Sequence, residues 1–511
     1  MAIENFISHS APFGEAVPAG SPHAVSVSLP TQSDVQRLFR DHDTAAWSEL
    51  ETTYPRFGAH PFIRQALEIN PVEEGRTKIA LSSPEAAERL INFVQKGELL
   101  ETVIEVDSTM TFLSFAPKDS DSLDILTVAM KVTGGVPSSR RAEDFLRAKG
   151  VVAEPYEEAV HHTENQATVA RDLQRIYAPA YPEVVLANSG MSAISATVEA
   201  VHEIRNQAYA EGETGRNTWL LLGNLYRDTE DLIMSMGTRP DVRAKAIRNA
   251  SDLDTLRNIV EVEGDQIAGV IIEAPTNPLL DVPDLEQTKA ILGEIPLVVD
   301  VSSAGSVLVD ALPHADVIVE SLTKFASGHG DMMMGAVIVN SESRYGAELN
   351  DRLPRIVEPP YDRDVMRLAY ELTGWQERAA KTGKNVVALA DFFESHKKIK
   401  AAHWTGSEKS QAAYGKLARD AAVNAGLITL EIKRTAQPTY DRLDLSKGPS
   451  FGTKFTLNTD FVGIVYPQEI RDRVSRAMLE RRTGLTPRML RVSVGTEDPD
   501  WLIDRYDTAF S

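Results

Sequence analysis

The stretch that decides the fold is Ala315 to Asn340, ADVIVESLTKFASGHGDMMMGAVIVN. Val317 to Val319 and Ala336 to Val339 are short apolar, β-branched runs that read as buried strands. Between them lies a polar, glycine-punctuated loop with one lysine, Lys324. Ser321 and Thr323 precede it, and Gly328, His329, Gly330 and Asp331 follow. A lysine between two buried strands either pairs with a carboxylate or works as a nucleophilic amine, because burial lowers an ammonium pKa. Hydroxyls one and three residues before it suit a phosphate held beside that amine. By itself Ser-x-Thr-Lys is a common tetrapeptide, so the rest of the chain must carry the reading.

Outward from this stretch, residues 164–352 alternate helix and strand patterns, the signature of a mostly parallel sheet covered by helices. The apolar runs Val184 to Leu186, Trp219 to Leu222, Ala268 to Ile272 and Pro296 to Val299 supply further strands. Ligands of such sheets sit at the carboxyl ends of the strands. After the first run comes Ser189-Gly190-Met191, a strand-to-helix turn whose free N–H groups attract an anion. The second leads to Tyr226, the third to Asn277, and the fourth ends in Asp300. Each has a plain alternative: packing for Tyr226, a turn for Asn277-Pro278, a cap for Asp300. Together they deliver an anion-ready turn, a tyrosine, an asparagine and an aspartate to the edge that carries Lys324. An amine beside a phosphate cradle, with such polar groups around it, is what pyridoxal phosphate needs.

The flanks are less uniform. Residues 1–68 read as an arm, rich in Gly, Pro and Ser, with only His23 to Leu29 alternating like a strand and a short helix over Phe62 to Glu68. An arm with no core of its own lies on another surface, typically a partner subunit. Within it, Tyr54 and Arg56 share one side of an extended segment, so they either grip one anion together or stand, as this segment alone favours, as a rim tyrosine and a solvated arginine. Residues 69–163 read as an inserted α/β unit. Strands are expected over Lys78 to Leu81, within Glu101 to Phe115 and over Leu123 to Val132, with helices starting at Ser83-Pro84 and Ser138. It shows no catalytic constellation, so its expected role is scaffolding. Residues 353–511 form a smaller α/β domain, with a helical run over Asp364 to His396 and strands near Gly426 to Ile432 and Met489 to Val494. Arg491 lies in that last strand, where it either meets solvent or holds a carboxylate bidentately.

Composition narrows the partners. At 511 residues the chain supports two or three domains. A formal net charge of −21 opposes binding to nucleic acid or an anionic membrane. No cysteine is present, which removes disulfides and thiolate metal sites and fits a reducing cytoplasm. The amino terminus lacks a basic region followed by an apolar core, no apolar run approaches membrane length, and the eleven histidines show no metal-ligand spacing.

These motifs resemble the pyridoxal-phosphate enzymes of cysteine and methionine metabolism, of fold type I. The family's lysine marker looks like Ser321-Leu-Thr-Lys324-Phe-x-x-Gly328-His-Gly-Asp331. Its Ser-Gly-Met, Pro-Thr-Asn-Pro and Arg-x-Ser-Val-Gly motifs match Ser189 to Met191, Pro275 to Pro278 and Arg491 to Gly495. Its Tyr-x-Arg-x-Gly-x-Pro segment matches Tyr54 to Pro61 with one extra residue. The inserted unit, the opening HAVSVSLP and Ser138 to Glu143 are similar to fungal-type cystathionine γ-synthases. The usual Asp-Asn-Thr is Asp300-Val-Ser here, and the glycine-lysine pattern expected after residue 363 is missing.

The resemblance implies a sheet of seven strands and pyridoxal 5′-phosphate carried on Lys324, which also moves protons at the substrate α-carbon. It implies that Asp300 holds the pyridine nitrogen protonated, Tyr226 stacks on the ring and assists proton transfer, and Asn277 bonds the ring hydroxyl. Gly190, Met191, Ser321 and Thr323 would hold the phosphate, with Tyr54 and Arg56 reaching in from a second subunit of a homodimer or homotetramer. Arg491 would clamp the substrate carboxylate, with Ser450 beside it. The implied reaction is γ-replacement on an O-acylhomoserine by cysteine to give cystathionine. An O-acylhomoserine sulfhydrylase or a cystathionine/methionine lyase would use the same residues, and the remote alternative is a non-catalytic relative whose inserted unit binds a regulator.

Overall fold

The computed structural model describes residues 8–94, 99–180, 182–207, 215–236 and 242–511. Its centre is a sheet of seven strands: β1 Glu183–Ala187, β2 Thr218–Leu222, β3 Arg243–Ile247, β4 Ile267–Glu273, β5 Leu297–Asp300, β6 Val317–Ser321 and β7 Gly335–Val339. The spatial order is β1-β7-β6-β5-β4-β2-β3. All pairings are parallel except those of β7, which runs antiparallel to both β6 and β1. Both faces are buried, which is why the central strands are continuously apolar. Alternate residues feed two separate cores: Leu220 and Leu222 pack on one face, Trp219 and Leu221 on the other. Edge strand β3 was not anticipated, because Arg-Ala-Lys-Ala-Ile has the mixed polarity of a half-wet edge.

The inserted unit is a three-stranded antiparallel sheet with Met110–Pro117 between Thr77–Leu81 and Leu99–Asp107. Leu113 and Phe115 pack beneath helices Pro84–Phe93 and Ser120–Thr133, whereas Phe112 packs beneath Pro61–Glu68 and Ser139–Ala148. The strand expected over Leu123 to Val132 is a helix. Asp119 caps its start, Gly134 closes it at φ +70°, and Leu126, Ala129 and Val132 recur at helical spacing on its buried side. The helix Pro61–Glu68, read as part of the arm, packs in this unit's core.

The small domain carries a five-stranded sheet with Leu427–Ile432 and Met489–Ser493 near its centre. The helical run before it is two helices, Asp362–Glu371 and Trp375–Ser395, separated at Gly374, φ +73°. The arm lies on this domain of its own chain. Leu29, Val35, Leu38, Ala46 and Leu50 pack with Ile464, and Tyr440 Oη donates to the Leu29 carbonyl at 2.8 Å. The extended segment expected over His23 to Leu29 is a two-residue ladder, Ser26–Val27 against Ala16–Val17.

Candidate active site

One deep pocket gathers the strand ends. It is lined by Ser189, Gly190 and Met191 after β1, Tyr226 after β2, Glu273 and Asn277 after β4, Asp300 of β5, and Ser321, Thr323 and Lys324 after β6. Tyr54, Arg56, Ser450 and Arg491 complete it. Every residue singled out from the sequence therefore reaches the same pocket.

Lys324 is buried, and its Nζ donates to Tyr54 Oη and to Ser450 Oγ, each at 2.8 Å. Ser450 sits at φ +85°, a conformation non-glycine residues rarely hold, and this turns its hydroxyl onto the amine. The following Gly452 has no room for a side chain: a Cβ would lie 2.6 Å from the Phe325 nitrogen. Burial pushes the Tyr54 phenol upward, but the Lys324 ammonium and its hydrogen bond outweigh that and lower it. The amine thus has a phenol and a hydroxyl as immediate proton partners.

Tyr54 and Arg56 reach the pocket from the arm. They line the pocket within this chain, where the arm folds back over the small domain and Tyr54 meets Lys324. Arg56 Nε lies 3.0 Å from Asp228 Oδ1, and its guanidinium sits 5.3 Å from the Tyr226 ring centre. Tyr226 Oη donates to Asp228 at 2.9 Å.

The anion cradle is built where helix Gly190–Asn206 begins. Ser189 caps it, and the first N–H groups of such a helix have no partner within it. A Cβ on Gly190 would fall 2.8 Å from Ser321 Cβ, so glycine lets the helix end close against the lysine loop. Thr323 Oγ1 accepts from the Met334 N–H at 3.1 Å, which ties the loop to β7.

At the pocket floor, Asp300 and Glu273 stand opposite each other on adjacent parallel strands. Burial raises both carboxyls, and the Asp300 charge pushes Glu273 higher still. Ser302 N–H donates to Asp300 Oδ1 at 2.8 Å and holds it toward the ionised form. Glu273 is thus raised well above its ordinary range, with Asp300 raised beside it. Sequence reasoning missed Glu273, the last residue of β4. Its two oxygens accept the N–H groups of Tyr226 and of Asn277, the latter at 2.9 Å, so one carboxyl sets both ring-facing residues. Asp228 was missed as well; its only sequence signal was its place two residues after Tyr226.

Arg491 points inward. Its Nη1 donates to Asn277 Oδ1 at 3.0 Å, and Nη2 donates to the Ser450 carbonyl at 2.6 Å. Burial lowers it to about 10, so it stays charged at neutral pH. Its Nε is buried with no hydrogen-bond partner. A buried, charged guanidinium with an unused N–H fits a carboxylate.

The inserted unit reaches this pocket through Met130, Lys131 and Gly134, so it is more than a remote scaffold. It is also joined to the lysine loop. Arg140 is fully buried and donates to Glu158 at 2.7 Å, to Asp364 at 3.0 Å and to the Asp331 carbonyl at 3.0 Å. Arg367 pairs with Asp331 at 2.6 Å.

Comparison with known proteins agrees with this geometry. A family model described as "Cys/Met metabolism PLP-dependent enzyme" matches residues 164–511, and the chain belongs to that family. The fold is the type I fold of pyridoxal-phosphate enzymes. Over 500 residues the chain is 34% identical to L-2-amino-4-chloropent-4-enoate dechlorinase/desaturase of Streptantibioticus cattleyicolor, covering 96% of this chain and 97% of that one. It is 30% identical over 264 residues to cystathionine γ-synthase of Neurospora crassa, 51% of this chain and 41% of that one. Among solved structures, cystathionine γ-synthase from Xanthomonas oryzae pv. oryzae superposes with a TM-score of 0.54 at 20% identity, covering 67% and 83% of the two chains.

The chain is thus an enzyme that uses pyridoxal phosphate, and the residues present fit that group. The amine, the glycine-opened helix start, the Asp300 carboxyl at the floor and the unpartnered Arg491 N–H match its aldehyde, phosphate, ring nitrogen and amino-acid substrate in turn.

Proposed function

We propose that the chain expels a leaving group from the γ-carbon of an L-amino acid, without requiring an incoming thiol. The observation that carries this reading is the distribution of charge in the pocket. Lys324 and Arg491 suit the α-amino and α-carboxylate ends of one amino acid. The same pocket is lined by an apolar group, Leu225, Phe461, Ile464 and Val465, with the Tyr466 ring. Arg227, 5.9 Å from the Tyr466 ring centre, is taken up by Asp231 at 2.9 Å. Such a wall suits a small, weakly hydrated leaving group and offers little to the ammonium and carboxylate of a second amino acid. The full-length similarity to a dechlorinase/desaturase supports the same reading.

When bound, pyridoxal phosphate supplies the electron sink that acidifies protons next to the substrate α-carbon. Arg491 and Asn277 orient the substrate carboxylate, Asp300 holds the ring-nitrogen proton, and Glu273 sets the ring-facing Tyr226 and Asn277. Lys324 Nζ takes the α-proton and returns it, with Tyr54 Oη as its proton partner. Tyr54, Arg56 and Tyr226 close the pocket around these groups against bulk water.

A second reading is γ-replacement on an O-acylhomoserine by cysteine sulfur to give cystathionine, as in methionine biosynthesis. It is supported by similarity to the Neurospora synthase over about half of this chain. Product analysis separates the two. The enzyme is offered 2-amino-4-chloropent-4-enoate, then O-succinyl- and O-acetylhomoserine, each alone, with cysteine and with sulfide. Release of chloride or acyl group without added thiol is expected. Turnover that starts only with cysteine and accumulates cystathionine would overturn the first reading in favour of the second.

A further inference from the structure

The geometry points to Lys131, on the inserted unit, as a phosphate-binding residue that the lysine-domain motifs do not supply. This rests on the assignment of pyridoxal phosphate to the pocket. Lys131 lies in the last turn of helix Ser120–Thr133, and that helix ends against the anion cradle. At Gly134 a Cβ would fall 2.4 Å from the Ser192 nitrogen and 2.9 Å from Ser189 Oγ, so the two helix ends meet with no side chain between them. Lys131 lines the pocket with Gly190, Met191, Ser321 and Thr323.

Charge balance gives Lys131 its role. Arg56 lines the same pocket, but Asp228 sits 3.0 Å from it and offsets its charge. The start of helix Gly190–Asn206 offers about half an elementary charge. That leaves a phosphate dianion under-compensated. Lys131 is half-buried, and among the described residues none accepts a hydrogen bond from it; Asp228 is the acidic group that senses its field. It is a cation at the cradle with no committed partner.

The test is equilibrium binding to cofactor-free enzyme, read from the visible absorbance of the bound cofactor. Pyridoxal phosphate is titrated into the wild type, Lys131→Met and Lys131→Arg, and so is pyridoxal, which lacks the phosphate. Circular dichroism checks the fold, and Lys131→Gln serves if the methionine variant is unstable. Loss of one charge-assisted contact predicts phosphate-form affinity weaker by about 10- to 100-fold in Lys131→Met. Pyridoxal affinity should stay unchanged, and Lys131→Arg should restore most of the difference. The proposal is overturned if pyridoxal phosphate binds within about twofold of wild type, on the scale where tenfold is ~1.4 kcal/mol. It is equally overturned if both compounds weaken together, or if only the KM for the amino acid rises, which would place Lys131 on the substrate. A wild type that binds neither compound would instead defeat the cofactor assignment.

Discussion

Replacing Arg140 by Met tests how firmly the inserted unit is tied to the lysine loop. Arg140 is fully buried between Glu158, Asp364 and the Asp331 carbonyl. Removing one partner of a buried charge cluster costs about 3–5 kcal/mol, because carboxylates remain without their counter-charge. With a urea dependence of about 3 kcal/mol per molar for a large domain, the unfolding midpoint falls by about 1 M or more. The loss depends on pH in a defined direction. Burial favours the neutral form of Asp331, but Glu371, Arg140 and Arg367 together hold its pKa below the usual carboxylate value. A depressed carboxylate stabilises above its unfolded pKa, and this is lost as pH falls through the folded pKa. Without Arg140 the folded pKa of Asp331 rises, so the gap between variant and wild type is full at pH 7.5 and closes only as pH falls through the variant's folded pKa. The assay is urea unfolding followed by tryptophan fluorescence at several pH values, beside the visible absorbance of bound cofactor. A midpoint within about 0.3 M of wild type, or a gap that widens as pH falls, would refute the reasoning.

Other variants probe the site itself. Lys324→Ala should stay folded but lose turnover and the absorbance of the covalently held cofactor; retention of both would remove Lys324 from the chemistry. Asp300→Asn should bind cofactor yet lose turnover by orders of magnitude, because a neutral amide cannot hold the ring-nitrogen proton; near-normal rates would reduce Asp300 to a cap. Glu273→Gln leaves one oxygen where two N–H groups are accepted, which costs about 1–3 kcal/mol and predicts a roughly 10- to 100-fold lower kcat with cofactor still bound. Arg56→Ala and Lys324→Ala chains, each inactive and mixed after dissociation, should not recover activity, since both residues line one pocket within the chain; recovery through mixed oligomers would show that Arg56 crosses between subunits.

Much of the site was legible in the sequence because its residues sit at strand ends. Lys324, Asp300, Asn277, Tyr226 and Gly190 each follow or end a short apolar run, and a parallel sheet brings those ends to one edge whatever the loops do. The same periodicity misled where local signals compete. Leu123 to Val132 is rich enough in branched residues to read as a strand, but the Asp119 cap, Gly134 and a single buried stripe make it a helix. That difference carried consequences, because the helix delivers Lys131 to the cradle.

What the chain could not announce by itself are contacts between residues far apart in sequence. Lys324 meets Tyr54 across 270 positions, and Arg491 meets Asn277 across 214. Residue types and spacing determined which chemistry is available: an amine, an anion cradle, a carboxylate and a guanidinium. Where the arm carries Tyr54, which carboxyl positions Tyr226 and Asn277, and which helix brings Lys131 to the cradle were decided by packing alone. A motif constrains its own few residues, whereas the path of an arm or the approach of two helix ends depends on every surface buried between them.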